Sequence, residues 1–139
     1  MSYTCRFNIG ETVTNQELYT EFQCGNMGGM RRSKSTNTLV IISDHTKKLY
    51  EDKWFGDTLH YTGMGKIGDQ DINRAQNKTL ANSRKNEVEV HLFEVFKPGK
   101  YVYQGIVELA SEVYEEIQKD DEGNPRKVWM FPLRKTSEK

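Results

Sequence analysis

The sequence predicts an α+β domain in which a strongly bent, mainly antiparallel β-sheet or open barrel carries two helices. Three observations lead there. Thr14-Asn15-Gln16-Glu17 has the capping-box pattern, with Leu18 and Phe22 following at i,i+4 spacing. Thr38-Leu39-Val40-Ile41-Ile42 is short, apolar and β-branched, as a buried strand should be. From Val88 onward, three strand-like runs are joined by tight turns, which indicates an antiparallel meander.

In chain order, the first helix runs from about Asn15 to near Gly25. Asn26-Met27-Gly28-Gly29-Met30-Arg31-Arg32-Ser33 reads as a flexible basic loop before the strand at Thr38. A second strand, Thr58 to Thr62, leads into Gly63-Met64-Gly65-Lys66-Ile67-Gly68. From about Ile72 to Lys85 the pattern is a polar helix with only Ala75, Leu80 and Ala81 as small or apolar positions, so it should lie on the surface. Val88, Val90 and Leu92 alternate with Glu87, Glu89 and His91, the pattern of a half-exposed strand. Lys97-Pro98-Gly99-Lys100 turns the chain into a long strand from Tyr101 to about Tyr114, with Gly105 marking a bulge or bend. Asp121-Glu122-Gly123-Asn124-Pro125 turns it again, and Val128-Trp129-Met130-Phe131 closes as a buried strand.

A chain of 139 residues suits a single domain, 1–139, with one core. Hydrophobic residues make up 35% and charged residues 29%, which is polar, yet 11% aromatics and dense apolar runs argue against disorder. No apolar run approaches the ~20 residues of a membrane span. The opening Met1-Ser2-Tyr3-Thr4-Cys5-Arg6 lacks the apolar core of a secretory signal. Cys5 and Cys24 alone make neither a disulfide scaffold nor a zinc cluster. The expectation is a cytoplasmic chain without metal or cofactor. Net charge is zero but segregated. Residues 27–85 carry eleven Lys/Arg against six Asp/Glu, residues 86–125 three against ten, and residues 126–139 five against one. A basic segment in a neutral chain can still attract a polyanion, because the local field steers it; the plainer reading is a solvated surface.

Several motifs compete. Gly63-Met64-Gly65-Lys66-Ile67-Gly68 matches a dinucleotide fingerprint, with Glu87 and Glu89 as ribose-binding acids. That motif needs a helix starting inside the glycines, whereas Asp69-Gln70-Asp71 place negative charge where phosphate would sit. Asp44, Glu51 and Lys53 match a metal-nuclease pattern, two acids holding magnesium while the lysine orients water. The match is short, and the segment around Glu51 lacks an apolar strand, so it stands as the enzymatic alternative. His45, His60 and His91 fall on different elements without evident partners. Tyr50, Trp54 and Tyr61 cluster with Asp52 and Asp57 between basic segments. Burial is the ordinary fate of each ring. Together they also suit a nucleobase, with rings to stack on it and an aspartate to accept from an exocyclic amine.

Leu59-His60-Tyr61-Thr62-Gly63-Met64-Gly65, Gly68-Asp69-Gln70 and Asn77-Lys78-Thr79-Leu80-Ala81-Asn82 resemble the signature of SRA (SET- and RING-associated) domains. The bacterial variety found beside HNH nucleases in McrA-type modification-dependent restriction enzymes is the nearest. Gly29-Met30-Arg31 with Ser33, the Tyr50…Asp52…Trp54 run, and Val90-His91-Leu92-Phe93 to Tyr103-Gln104-Gly105 are similar too, so the likeness spans about Gly28 to Leu133. It implies a PUA-like curved sheet and a protein that binds double-stranded DNA, flipping 5-methylcytosine or 5-hydroxymethylcytosine into an aromatic cage. On that resemblance Tyr61 is the cage tyrosine, Thr62 and Gly63 line the pocket, and Asp52 reads the cytosine edge. Tyr50 or Trp54 supplies the opposing ring; Asp57 and Asp69 are the substitutes for Asp52. Met30, Arg31, Arg32, Lys34, Asn77, Lys78, Asn82 and Arg84 are the expected DNA contacts. The chain has no His-Asn-His pattern, so the resemblance implies a reader and no nuclease of its own. It would be a lone reader with an HNH nuclease partner, or a domain excised from a larger protein. A PUA-like RNA-binding module would share the fold and the basic face.

Overall fold

The computed structural model describes residues 5–46, 52–66 and 68–136. In chain order they form β1 (Thr12–Val13), α1 (Asn15–Phe22), β2 (Met30–Ser33), β3 (Thr38–Asp44), β4 (Lys53–Phe55), β5 (Thr58–Thr62), α2 (Ala75–Ala81), α3 (Ser83–Asn86), β6 (Glu89–Lys97), β7 (Lys100–Leu109), β8 (Tyr114–Lys119) and β9 (Pro125–Lys135). The strands make one sheet in the order β2-β3-β6-β7-β9-β5-β4, with β1 added on β7 and β8 on β9. The fold is α+β, with an open, mostly antiparallel sheet. Among the described strands only β3 and β6 run parallel, from Thr38 opposite Glu89 to Asp44 opposite Val95. Parallel pairing needs cover on both faces, and this pair has it. Leu39, Ile41, Val90 and Leu92 belong to one core; Val40, Ile42, Phe93 and Val95 belong to the other.

Helix α1 covers the second core with Leu18 and Phe22. Its capping box forms as expected: Thr14 Oγ1 accepts the Glu17 N–H (3.1 Å) and Glu17 Oε1 accepts the Thr14 N–H (2.8 Å). It stops at Phe22, short of Gly25, because Gln23 takes a left-handed conformation, φ 55°. Leu80 on α2 seals the first core. The single helix expected from Ile72 to Lys85 is broken. It is a loop as far as Arg74, and Asn82 parts α2 from the one-turn α3, its Nδ2 donating to Lys78 O (2.9 Å).

The basic loop expected through Ser33 ends early, because Met30 to Ser33 pair with Ile41 to Thr38 as an edge hairpin. The long strand expected from Tyr101 to Tyr114 is two strands. β7 stops at Leu109 and pairs with β9 instead of β8, so the run is two hairpins, β6–β7 and β8–β9, joined through β7–β9 pairing and not a continuous meander. Gly105, at φ 98°, does sit in a bulge, between the pairs Leu92–Gly105 and Phe93–Tyr103. The extra residue reverses the side-chain alternation. Tyr103 therefore faces the α1 core while Val107 and Leu109 face the other.

Curvature brings β5 over the end of β3, although three strands separate them along the sheet. Side chains tie this seam. The Tyr61 hydroxyl on β5 reaches Ile42 O on β3 (3.2 Å), and Trp54 Nε1 on β4 donates to Glu94 Oε2 on β6 (2.8 Å). Among the described residues, no helix is long and apolar enough to cross a membrane.

Candidate functional site

A cavity of about 840 Å³ opens at this seam. Its walls are the loop from Asn26 to Gly29, Met30 and Arg31 at the start of β2, Ile42 and Asp44 at the end of β3, Asp52, the run Tyr61 to Met64, Lys66, Tyr101 and Asp120–Asp121. Four of its wall residues are aspartates, against Arg31 and Lys66. The interior therefore suits a neutral group with hydrogen-bond donors better than a phosphate.

Asp52 is the best-placed acceptor. Its Oδ1 accepts the Thr62 N–H (2.8 Å) and its Oδ2 accepts the Ser43 hydroxyl (2.7 Å). Burial pushes its carboxyl above the ordinary aspartate value, against the lowering effect of those donors, of the Thr62 hydroxyl and of His45. A carboxylate has about four acceptor positions, so two bonds leave capacity for a ligand's N–H.

Tyr61 is 3% exposed and belongs to the first core while it walls the cavity. Its single hydroxyl proton is shared between Gly29 O (3.0 Å) and Ile42 O (3.2 Å). Gly29 approaches closely: a Cβ there would lie 3.5 Å from the Tyr61 hydroxyl.

The glycine-rich run after Tyr61 is a braced wall. Gly63 N–H bonds Trp129 O, Gln70 N–H bonds Lys127 O, and the N–H groups of Lys127 and Trp129 bond Asp69 Oδ1 and Gln70 Oε1. Gln70 Nε2 donates to Gly63 O (2.6 Å), and Asn77 holds both main-chain groups of Met64. A side chain at position 63 would clash, its Cβ lying 2.8 Å from Asn77 Oδ1. Buried Arg126 donates to Gly65 O and Gly68 O, so these carbonyls turn inward. A phosphate cradle would need amides turned outward and a helix starting in the glycines, whereas α2 begins only at Ala75. Asp120 accepts the N–H groups of Asn124, Glu122 and Gly68, which holds its carboxyl below the ordinary value.

The other expected site residues are dispersed. Tyr50 and Glu51 lie outside the described residues. Trp54 is half-buried, bonded to Glu94, and not on the cavity wall. Met30 is buried in the first core and reaches the cavity. Arg31 is buried as well, donating to Gly28 O (2.9 Å) and Asn15 Oδ1 (2.7 Å), with its guanidinium 5.8 Å from the Tyr101 ring. Arg32 is held by Thr38 O and Asn37, Arg84 by Leu109 O. Asn77 is fully buried and Asn82 bonds its own helix. Lys34 and Lys78 are exposed. Asp57 and Asp69 are away from the cavity wall. Asp44 caps a turn, accepting the N–H and hydroxyl of Thr46, and no trio of metal-ligating residues comes together among the described residues. The histidines have partners after all: His45 with Glu94, His60 with Tyr114, His91 with Tyr103 and Glu89. The sequence reading missed Met27, Lys66, Tyr101, Asp120 and Asp121 on the wall. Met27 and Lys66 sit in Gly-rich runs visible in the sequence, whereas nothing local marks Tyr101, Asp120 or Asp121.

The family model for the ScoMcrA-like SRA domain matches residues 9–139. The chain belongs to that family. Among solved structures, this SRA domain is similar to the sulfur-binding and SRA domains of ScoMcrA complexed with phosphorothioated DNA, at 16% identity and a TM-score of 0.76. That match covers 94% of this chain and 40% of the other. It also resembles the phosphorothioation-dependent restriction endonuclease ScoMcrA (19%, TM-score 0.75), covering 94% of this chain and 28% of that one. The SUVH5 SRA domain bound to hemi-methylated CG DNA is 26% identical at a TM-score of 0.73, over 99% of this chain and 94% of that one. The SRA domain therefore spans well under half of the ScoMcrA chains and nearly all of the SUVH5 one. The comparison with curated proteins gives no match.

Proposed function

We propose that this SRA domain reads modified cytosine in double-stranded DNA, taking the extruded base into the seam cavity without itself cutting DNA. The carrying observation is Asp52, a desolvated carboxylate anchored on Thr62 and Ser43 with acceptor capacity left at the cavity wall. The exocyclic amine of cytosine is a donor that such a group accepts, whereas thymine presents a carbonyl oxygen at that position. Tyr61, Thr62 and Gly63 form the wall beside it, and among the described residues Tyr101 brings a second aromatic ring to the cavity. Extrusion costs a few kcal/mol, which such a pocket must repay through stacking and edge bonds. Exposed Lys34, Lys66 and Lys78 are the phosphate contacts in this reading. The SUVH5 SRA structures, bound to methylated and hydroxymethylated CG DNA, support the cytosine reading, while ScoMcrA with phosphorothioated DNA supports only the binding of modified DNA. Cleavage, in this reading, falls to an HNH nuclease in another domain or chain of a restriction system.

The test is a binding panel on matched duplexes carrying cytosine, 5-methylcytosine, 5-hydroxymethylcytosine or a phosphorothioate linkage, with RNA alongside. Preference for a modified cytosine, lost in Asp52→Ala, is the expected result. Equal binding to all DNA duplexes, or preference for RNA, overturns the reading.

A further inference from the structure

We propose that Ser43 is a specificity-setting positioning residue: it never meets the base, but it orients and charges the carboxylate that does. This rests on the reading of Asp52 as the group facing the cytosine edge.

Ser43 interrupts an apolar strand, following Leu39-Val40-Ile41-Ile42, and is fully buried. A buried hydroxyl needs a partner. It has one proton to give and two neighbours within reach, Asp52 Oδ2 at 2.7 Å and His45 Nε2 at 3.5 Å. The His45 nitrogen lies 2.8 Å from Glu94 Oε2, which also receives the Trp54 N–H. Glu94 thus engages His45, and the serine proton goes to Asp52, where the bond is short and charge-assisted.

Two donors from two strands then fix the carboxylate plane: Thr62 N–H from β5 on Oδ1 and Ser43 from β3 on Oδ2. Both favour the ionised form against the burial that opposes it. Protonated Asp52 would be a donor at one oxygen and would tolerate a thymine carbonyl; ionised Asp52 would not. Holding the group ionised is therefore what separates a modified cytosine from thymine. The ionisable groups around it are His45 and Glu94 behind Ser43, and Asp44, Arg31, Lys66 and the Asp120–Asp121 pair around the cavity.

The experiment measures Kd from pH 5 to 9 for duplexes differing only in 5-methylcytosine or thymine at one position. It compares the parent with Ser43→Ala, Ser43→Cys and Asp52→Asn. Ser43→Ala should shrink the cytosine-over-thymine ratio by about tenfold near neutral pH, the value of one charge-assisted bond. It should also move the pH midpoint of that ratio upward by ~1 unit. Ser43→Cys, a weaker donor of similar size, should shift both in the same direction by less, and is read alone if the alanine variant does not fold. A folded serine variant with the parent's ratio and midpoint overturns the proposal, as does failure of both variants to fold, which would make the hydroxyl purely structural. If Asp52→Asn also keeps the parent's ratio, the edge-reading role of Asp52 fails; if it alone collapses the ratio, only Ser43 is dismissed.

Discussion

The hydroxyl of Tyr61 and the carbonyl of Gly29 lie 3.0 Å apart, so a strand residue of the first core holds a loop that lines the cavity. The same hydroxyl reaches Ile42 O, and the two contacts make Tyr61 a pin between β5, β3 and the Asn26–Gly29 loop. A ring in that position stiffens the pocket whether or not it stacks on a base.

Tyr61 therefore calls for two substitutions. Tyr61→Phe keeps the ring and should cost about 1 kcal/mol of stability from the missing hydrogen bond, with modified-DNA binding reduced only by loosening of the loop. Tyr61→Ala empties a core position and should cost roughly 3–5 kcal/mol, as large aromatic deletions do. Denaturant unfolding read beside binding separates them. A Phe variant without any selectivity would place the function in the hydroxyl.

Asp52 makes stability depend on pH with a definite sign. Its carboxyl is raised above the ordinary 3.8 by burial, so the folded chain holds that proton to higher pH than the unfolded chain does. Its contribution is fully present below about pH 3.8 and is lost as pH rises through the raised folded value. Binding of a cytosine amine should run the other way, strengthening as the group ionises. Asp52→Asn should flatten both trends relative to the parent, read from Tm and Kd across acid to neutral pH.

Gly63→Ala tests the braced wall. The new Cβ would meet Asn77 Oδ1 at 2.8 Å and the Phe131 ring at 3.1 Å, both on buried groups. Strain of this kind costs roughly 1–3 kcal/mol, and binding should weaken for every duplex because Thr62 and Met64 move together. A Tm and affinity equal to the parent's would show that the wall yields freely.

The basic residues should divide into two groups. Neutralising Lys34, Lys66 or Lys78 should leave stability near the parent's. It should flatten the log K against log[salt] slope by about 0.9 for each DNA phosphate that no longer meets a lysine. Arg31→Gln should instead lower stability by ~1–3 kcal/mol, because the buried guanidinium holds Gly28 O and Asn15. An Arg31 variant that alters only the slope would return that residue to the DNA surface.

The order of the main elements was legible in the sequence because it depends on near neighbours. The capping box at Thr14, the strand at Thr58–Thr62 and the bulge at Gly105 each answer to local chemistry, and the SRA motif placed Thr62, Gly63 and Asp52 near one another. What only the tertiary structure decided was which of those residues face the cavity and which hold it up. Asn77 and Arg31 look like surface contacts in the sequence, yet both are buried, one clamping Met64 and the other bracing Gly28. Ser43 looks like a chance polar residue in an apolar strand until Asp52 arrives beside it. Helix caps and turns are set by bonds a few residues apart, which a linear pattern records. The meeting of β3 with β5 depends on the twist accumulated over the three strands between them, and no short motif carries that information.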